Sequence, residues 1–131
     1  MLELSADGSS VTRKWKHKNM DSRMGGAVLV DGFIYGSGDS RLWCCFDWET
    51  GKEKYTSKEI GHGVVIYADG MLYCYSQRGE LALVAADPSG FTVVSKTKVA
   101  KGSEQHWAHP VIYDGVLYVR HGRALIAYKV K

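Results

Sequence analysis

Cysteine and proline are both scarce, with 3 and 2 residues in a chain of 131. Cys44, Cys45 and Cys74 are odd in number, and their spacing fits neither a disulfide framework nor a zinc site. Cys44 and Cys45 are neighbours in a strand-like run, so their side chains point to opposite faces. A bond between them would need strained geometry. All three are expected to be reduced and to pack as small apolar side chains. No apolar run approaches the length of a membrane span, and Met1-Leu2-Glu3-Leu4 lacks the basic start and apolar core of a signal peptide. Charge of one sign is also missing. The 17 Lys and Arg against 14 Asp and Glu leave a net +3, too little to argue for nucleic acid. The one basic cluster, Arg13-Lys14-Trp15-Lys16-His17-Lys18, reads as a solvated outer strand and loop rather than a polyanion or headgroup site. No stretch has a helical period with caps, and no nucleophile–base arrangement, phosphate loop or metal motif is present.

What the chain does have is repetition. Val30-Asp31-Gly32-Phe33-Ile34-Tyr35 returns as Ala68-Asp69-Gly70-Met71-Leu72-Tyr73, and again as Tyr113-Asp114-Gly115-Val116-Leu117-Tyr118. The Asp-Gly pairs are 38 residues apart (31 to 69) and then 45 (69 to 114). A period of this size, built from strand-like units, predicts propeller blades. With 15 Gly, the composition also suits tight hairpins.

Each unit opens on an apolar run without alternation: Ala27–Val30, Val64–Tyr67 and Val111–Tyr113. Such runs fit strands buried on both faces. Asp-Gly then favours the positive φ values of a two-residue hairpin turn. A second strand carries Tyr35, Tyr73 or Tyr118, expected to fill a layer between neighbouring blades. The third strands are Trp43–Phe46, Leu81–Val84 and Ala124–Ala127. Turns at Asp47–Gly51 and Asp87–Gly90 follow, where Asp can accept from its own downstream backbone and Gly takes the left-handed position. Polar fourth strands run from Lys52 to Ser57 and from Phe91 to Val99, as suits an exposed blade edge.

The chain ends also fit the repeat. Residues 4–11 (LSADGSSV) align without gaps on residues 84–91 (VAADPSGF), so the chain opens in a third strand and closes in another. The reading is an all-β chain, a partial β-propeller of four-stranded antiparallel blades with about three blades present. Residues 1–20 end one blade, 21–60 and 61–105 form two, and 106–131 give three strands of a last one. Closed propellers have at least four blades. The chain is therefore expected to be part of a longer propeller or to pair with another copy, with a homodimer expected of the isolated chain.

Residues 43–53 (WCCFDWETGKE) resemble the repeat of the pyrroloquinoline-quinone (PQQ)-like propellers: leucine-tyrosine-alanine-leucine-aspartate, two free positions, then glycine-lysine. The flanking Asp-Gly-apolar-apolar-Tyr fits the same repeat. Gly79–Val84 and Trp107–Ile112 are similar to the last blades of the bacterial, often secreted members. The superfamily holds quinoprotein dehydrogenases, an outer-membrane assembly scaffold and many proteins of unassigned role. The resemblance implies a periplasmic or secreted location and a scaffold that binds a protein or ligand. The alternative is the C-terminal part of a quinone- or sugar-linked oxidoreductase whose catalytic residues lie in other blades. No compact Asp/Asn/Glu cluster offers the calcium ligands of the enzyme branch, so neither PQQ nor calcium is expected to bind this chain. No catalytic and no metal-ligating residue is assigned.

Two sets of residues are candidates for a binding site. The loops leading into the innermost strands line the mouth of a propeller channel, and they hold Arg23, His62, His106, Trp107 and His109. Imidazole and indole there could bind a metal or stack on a ring ligand, or simply pack the loops. His62 and Trp107 share one repeat position, which favours packing. The loops between second and third strands hold Asp39, Arg41, Gln77, Arg78, His121 and Arg123, either pairing between blades or presenting a polar face.

Overall fold

A computed structural model describes residues 1–21, 24–38, 40 and 42–130, and among these described residues there are thirteen strands and no helix. The candidates Arg23, Asp39 and Arg41 lie outside the described residues. Strands β1 (Leu2–Leu4) and β2 (Val11–Arg13) form a two-stranded hairpin. Strands β3 (Val28–Val30), β4 (Phe33–Ser37), β5 (Trp43–Asp47) and β6 (Glu53–Ser57) form an antiparallel sheet in chain order. So do β7 (Gly63–Ala68), β8 (Met71–Ser76), β9 (Glu80–Ala85) and β10 (Val93–Lys98). The last sheet has three strands: β11 (Val111–Tyr113), β12 (Val116–His121) and β13 (Ala124–Lys129).

The repeated Asp-Gly pairs make the tight turns. Asp31, Asp69 and Asp114 sit at φ 47°, 50° and 47°, and the following glycines at 80°, 77° and 70°. Two successive left-handed residues match the twist of the flanking strands. The turns after the third strands are closed by aspartate. Asp7, Asp47 and Asp87 accept from the backbone N–H of Ser9, Thr50 and Ser89 at 3.1, 2.9 and 2.8 Å. At Asp7 the Ser5 hydroxyl, then the Ser9 N–H and hydroxyl, favour the carboxylate and hold it at about 2, well below its ordinary range. Gly51 takes the expected left-handed conformation at φ 69°, but Gly90 does not.

Sheet faces pack in pairs, following the two-residue period of the strands. Tyr35, Trp43 and Cys45 of the first four-stranded sheet meet Leu72, Cys74, Ala82 and Val84 of the second. On the far side of the second sheet, Val64, Tyr75 and Leu81 meet Leu117 and Val119 of the last, with Tyr73, Ile126 and Tyr128 partly buried against them. Tyr35 and Tyr73 thus fill inter-sheet layers, each facing the next sheet. Tyr118 alternates with buried Leu117 and Val119 and so lies on the outer side of the last sheet.

Burial of the first strands on both faces holds for Val64 and Val65 in β7 but not in β3, where Leu29 is exposed, or in β11. Val111 and Tyr113 are exposed because no sheet covers their side. The outer side of the first four-stranded sheet is different. Segment 15–20 lies along it. His17 packs on Phe46 with ring centroids 4.2 Å apart, Cys44 Sγ donates to Asn19 O, and Trp15 Nε1 donates to Trp48 O at 2.9 Å. The basic cluster of the sequence is therefore half a packing strap: Trp15 and His17 turn inward while Arg13, Lys14, Lys16 and Lys18 stay exposed.

Candidate functional site

Three of the candidate loop residues sit at one end of the sheets, each with a partner of its own. His62 is buried, and its Nδ1 accepts from the Gln77 side-chain amide at 3.4 Å while its carbonyl accepts from Gln77 N at 3.0 Å. Antiparallel pairing explains this: β7 starts where β8 ends, with Gly63 opposite Ser76. The loop before a first strand and the turn after a second strand are therefore neighbours. His62, Gln77, Arg78, Ser40 and Lys58 line a cavity of about 310 Å³.

His106 stacks on His121, with ring centroids 3.6 Å apart and planes inclined by 20°. Its Nδ1 lies 2.5 Å from the hydroxyl of buried Tyr75. Burial, then the neighbouring His121 and Lys98, push His106 toward its neutral form. Burial also raises the Tyr75 phenol to about 12, so the hydroxyl keeps its proton and donates it to Nδ1. His121 is buried between two carbonyls: Nδ1 is 2.8 Å from Lys101 O and Nε2 is 3.0 Å from Glu104 O. Carbonyls only accept, and a neutral imidazole has one N–H. A ring nitrogen that carries a proton donates to the carbonyl facing it. Two glycines make room for the pair. A Cβ on Gly79 would lie 2.7 Å from His106 Cε1, and one on Gly102 would lie 2.3 Å from His121 O; both residues have positive φ.

Trp107 points away from this cluster. It is exposed, and with Glu104, Gln105 and Arg120 it lines a second cavity of about 310 Å³. His109 turns the other way, its Nε2 donating to Met24 O at 3.2 Å, close against Gly25. His62, His106 and His109 are thus not brought together. Among the described residues, no three His, Cys, Asp or Glu side chains could hold one metal ion. What the structure does unite is one residue from each candidate set: His62 with Gln77, and His106 with His121. Sequence reasoning missed Tyr75, whose only signal was its place at the end of a second strand. Arg78 and Arg123 are both exposed.

The three cysteines are free and buried. Desolvation pushes the Cys44 thiol up to about 12, Cys45 to about 11, and Cys74 higher still. Thiolate, the reactive form, is scarce at such values. We expect no alkylation of the native protein at pH 8 within minutes and three alkylated thiols after denaturation, counted by mass. One free thiol after denaturation would reveal a disulfide and refute this.

No protein-family model matches the sequence, and no curated protein matches it significantly. Solved structures do. The crystal structure of BamB from Moraxella catarrhalis superposes with a TM-score of 0.76 at 14% identity, over 98% of this chain and 39% of that one. The quinohemoprotein alcohol dehydrogenase from Comamonas testosteroni superposes at 0.66 with 18% identity, over 86% of this chain and 20% of that one. The fold is that of part of a PQQ-like β-propeller. At these identities the likeness concerns fold alone, and a PQQ-like propeller supports both scaffolds and enzymes. The chain spans only part of each relative, and among its described residues no helix is long and apolar enough to cross a membrane.

Proposed function

We propose that this PQQ-like propeller chain is a non-enzymatic protein-binding scaffold working outside the cytoplasm, and that the outer face of its last sheet is the contact surface. One observation carries the reading. Val111, Tyr113 and Leu125 are 57%, 74% and 68% exposed. Strand register puts them on one side, with Val111 opposite Tyr118, Tyr118 opposite Ala127, and Leu125 opposite Arg120. The corresponding sides of the two four-stranded sheets are buried by the sheet that follows. Fully burying an aliphatic or aromatic side chain is worth about 1.5–3 kcal/mol, so an open apolar side of this kind favours association.

For the isolated chain, the occupant is a second copy. The N-terminal hairpin exposes Leu2, Leu4 and Val11 at 65%, 66% and 57%. Leu4 is directly opposite Val11, so the three share one face. In a two-fold pair, the hairpin of each copy covers the β11–β13 face of the other, and the contact closes on itself. At low micromolar concentration, light scattering coupled to size exclusion is expected to give a dimer, and the double variant Tyr113→Asp, Leu125→Asp a monomer. A monodisperse wild-type mass near 14.5 kDa with cooperative unfolding would sink the dimer. The reading includes no quinone and no calcium. Stoichiometric micromolar binding of PQQ with calcium, followed by protein fluorescence, would replace it with the oxidoreductase reading.

A further inference from the structure

We infer that the cavity at the β6–β7 connection, where the two four-stranded sheets meet, holds a phosphate group, free or carried on a small ester, through Arg78, Lys58 and His62. Its walls are that connection, the β8–β9 turn and Ser40 after β4, all within the two complete sheets. It involves neither end of the chain. It shares no residue with the outer face of the last sheet and does not rest on the scaffold reading.

The walls are held by the protein's own bonds. Ile60 is buried in the core between the two sheets. Beside it, Trp43 Nε1 donates to Gly61 O at 2.9 Å, and Gly61 N donates to Glu80 Oε2 at 3.0 Å. In the β8–β9 turn, Gly79 N donates to Ser76 O at 2.9 Å and Arg78 N to Ser76 Oγ at 3.3 Å. Gln77 N, donating to His62 O at 3.0 Å, ties the two walls together. The side chains of the cavity thus stand on a fixed backbone, which lowers the ordering cost of binding.

The charge in the cavity is one-sided. Lys58 and Arg78 line it and no carboxylate does, and among the described residues neither cation has an ion-pair partner. Glu80 is not part of the lining; its Oε2 already accepts from Gly61 N and, at 3.4 Å, from the Ser76 hydroxyl. His62 adds a directed donor. It is 8% exposed, and its Nδ1 accepts from the Gln77 amide, so the neutral ring carries its proton on Nε2. Among the described residues Nε2 has no partner, and no side-chain nitrogen or oxygen sealed from solvent lacks one. Nε2 therefore opens on the cavity that His62 lines. An N–H in so buried a ring is costly to leave without an acceptor. Packing common to the repeat does not account for it, because Trp107, at the same repeat position, is 55% exposed.

A guanidinium, an ammonium and an imidazole N–H from two walls suit a tetrahedral oxyanion. Arginine can give two parallel bonds to it and lysine a point charge. Their two formal charges match the dianion that a phosphate or its monoester forms above a pKa of about 6. A lone carboxylate has one charge and two oxygens and leaves a donor idle. The volume of about 310 Å³ leaves room for a small ester beyond the phosphate.

The probe is inorganic phosphate, titrated into the full chain at pH 7.5 in a constant chloride background and followed by amide chemical shifts. Saturable shifts at the amides of Gly61, His62, Gln77 and Arg78 are expected. Lys58→Gln and Arg78→Gln, both at exposed positions, should each weaken binding at least about tenfold. Lys16→Gln with Lys18→Gln, which removes as much charge elsewhere, should leave it unchanged. Glycerol 3-phosphate in place of phosphate separates the two sources. Tighter binding of the ester assigns the site to a phosphorylated small molecule, and tighter binding of phosphate to the free ion. Malonate tests the ligand class without altering the protein, so a misfolded variant cannot decide the result. Three outcomes overturn the inference: no saturable shifts up to tens of millimolar phosphate, malonate binding as tightly as phosphate, or shifts confined to residues 13–18.

Discussion

Gly63→Ala is expected to cost the protein a large part of its stability. Gly63 opens β7 directly opposite Ser76. A Cβ there would lie 1.9 Å from Tyr75 O and 2.7 Å from Ser76 Cα. Both are backbone atoms of a paired strand, so no side chain can swing aside. The neighbouring sheet fixes the other side. Ser37 Oγ, buried, donates to Gly63 O at 2.7 Å and accepts from Gly63 N at 2.9 Å. Any shift that relieves the clash breaks this bridge between β4 and β7 and opens the core around Val64 and Tyr75. Overpacking a well-filled site costs about 1–3 kcal/mol, and leaving the Gly63 backbone unpaired costs about 1–3 kcal/mol more. Against a domain stability of about 5–15 kcal/mol, a loss of about 3 kcal/mol or more is expected. Gly26→Ala is the control, since a Cβ there meets nothing within 4 Å; a change within about 0.5 kcal/mol is expected. Guanidinium unfolding of the two variants decides, and equal midpoints would refute the steric argument.

The elements that follow local rules were legible in the sequence. Asp31-Gly32, Asp69-Gly70 and Asp114-Gly115 announce their turns because two adjacent left-handed residues need that chemistry. Asp47 and Asp87 announce theirs by accepting from the backbone a few residues downstream. Once hairpin turns are placed, consecutive strands pair in order, and period-two alternation sorts Leu72 and Cys74 from Tyr73 and Tyr75.

Segments that pack without periodicity were not legible. Residues 15–20 cover the outer side of the first four-stranded sheet through a tryptophan N–H, a histidine ring and a backbone carbonyl, none of which leaves a pattern. These contacts leave the outer side of the last sheet, with Val111, Tyr113 and Leu125, as the large open one. The candidate loops failed differently. Their residues were identified, but their partners depend on the shape of loop 100–107, where Gly102 and Glu104 take φ values of 98° and 76°. A left-handed glutamate has no signature in one sequence, and that backbone path is what brings Lys101 O and Glu104 O to the two nitrogens of His121.

That last arrangement leads to the second large expected effect. His121→Phe keeps a flat ring against His106 but removes the two ring nitrogens that face the loop carbonyls. Each buried group left without its partner costs about 1–3 kcal/mol. These loop carbonyls can recover water in part, so a total loss of about 2 kcal/mol is expected, with a change in Trp107 emission as the loop loosens. The acid response should change with it. His106 has its folded-state pKa pushed below the ordinary 6.5, first by burial, then by the His121 and Lys98 charges. Between the folded and unfolded values the unfolded chain binds more protons, so stability rises with pH there. The His106 contribution is therefore complete above pH 6.5 and is lost as pH falls through the lower, folded value. In His121→Phe one of the two charges opposing protonation is gone, so the loss on acidification should be shallower than in the wild type. His106→Asn, which keeps an acceptor for the Tyr75 hydroxyl, should remove this component. Urea unfolding at intervals from pH 7.5 to 5 is the measurement. An acid dependence identical in the wild type and in His106→Asn would show that the stacked pair does not govern it.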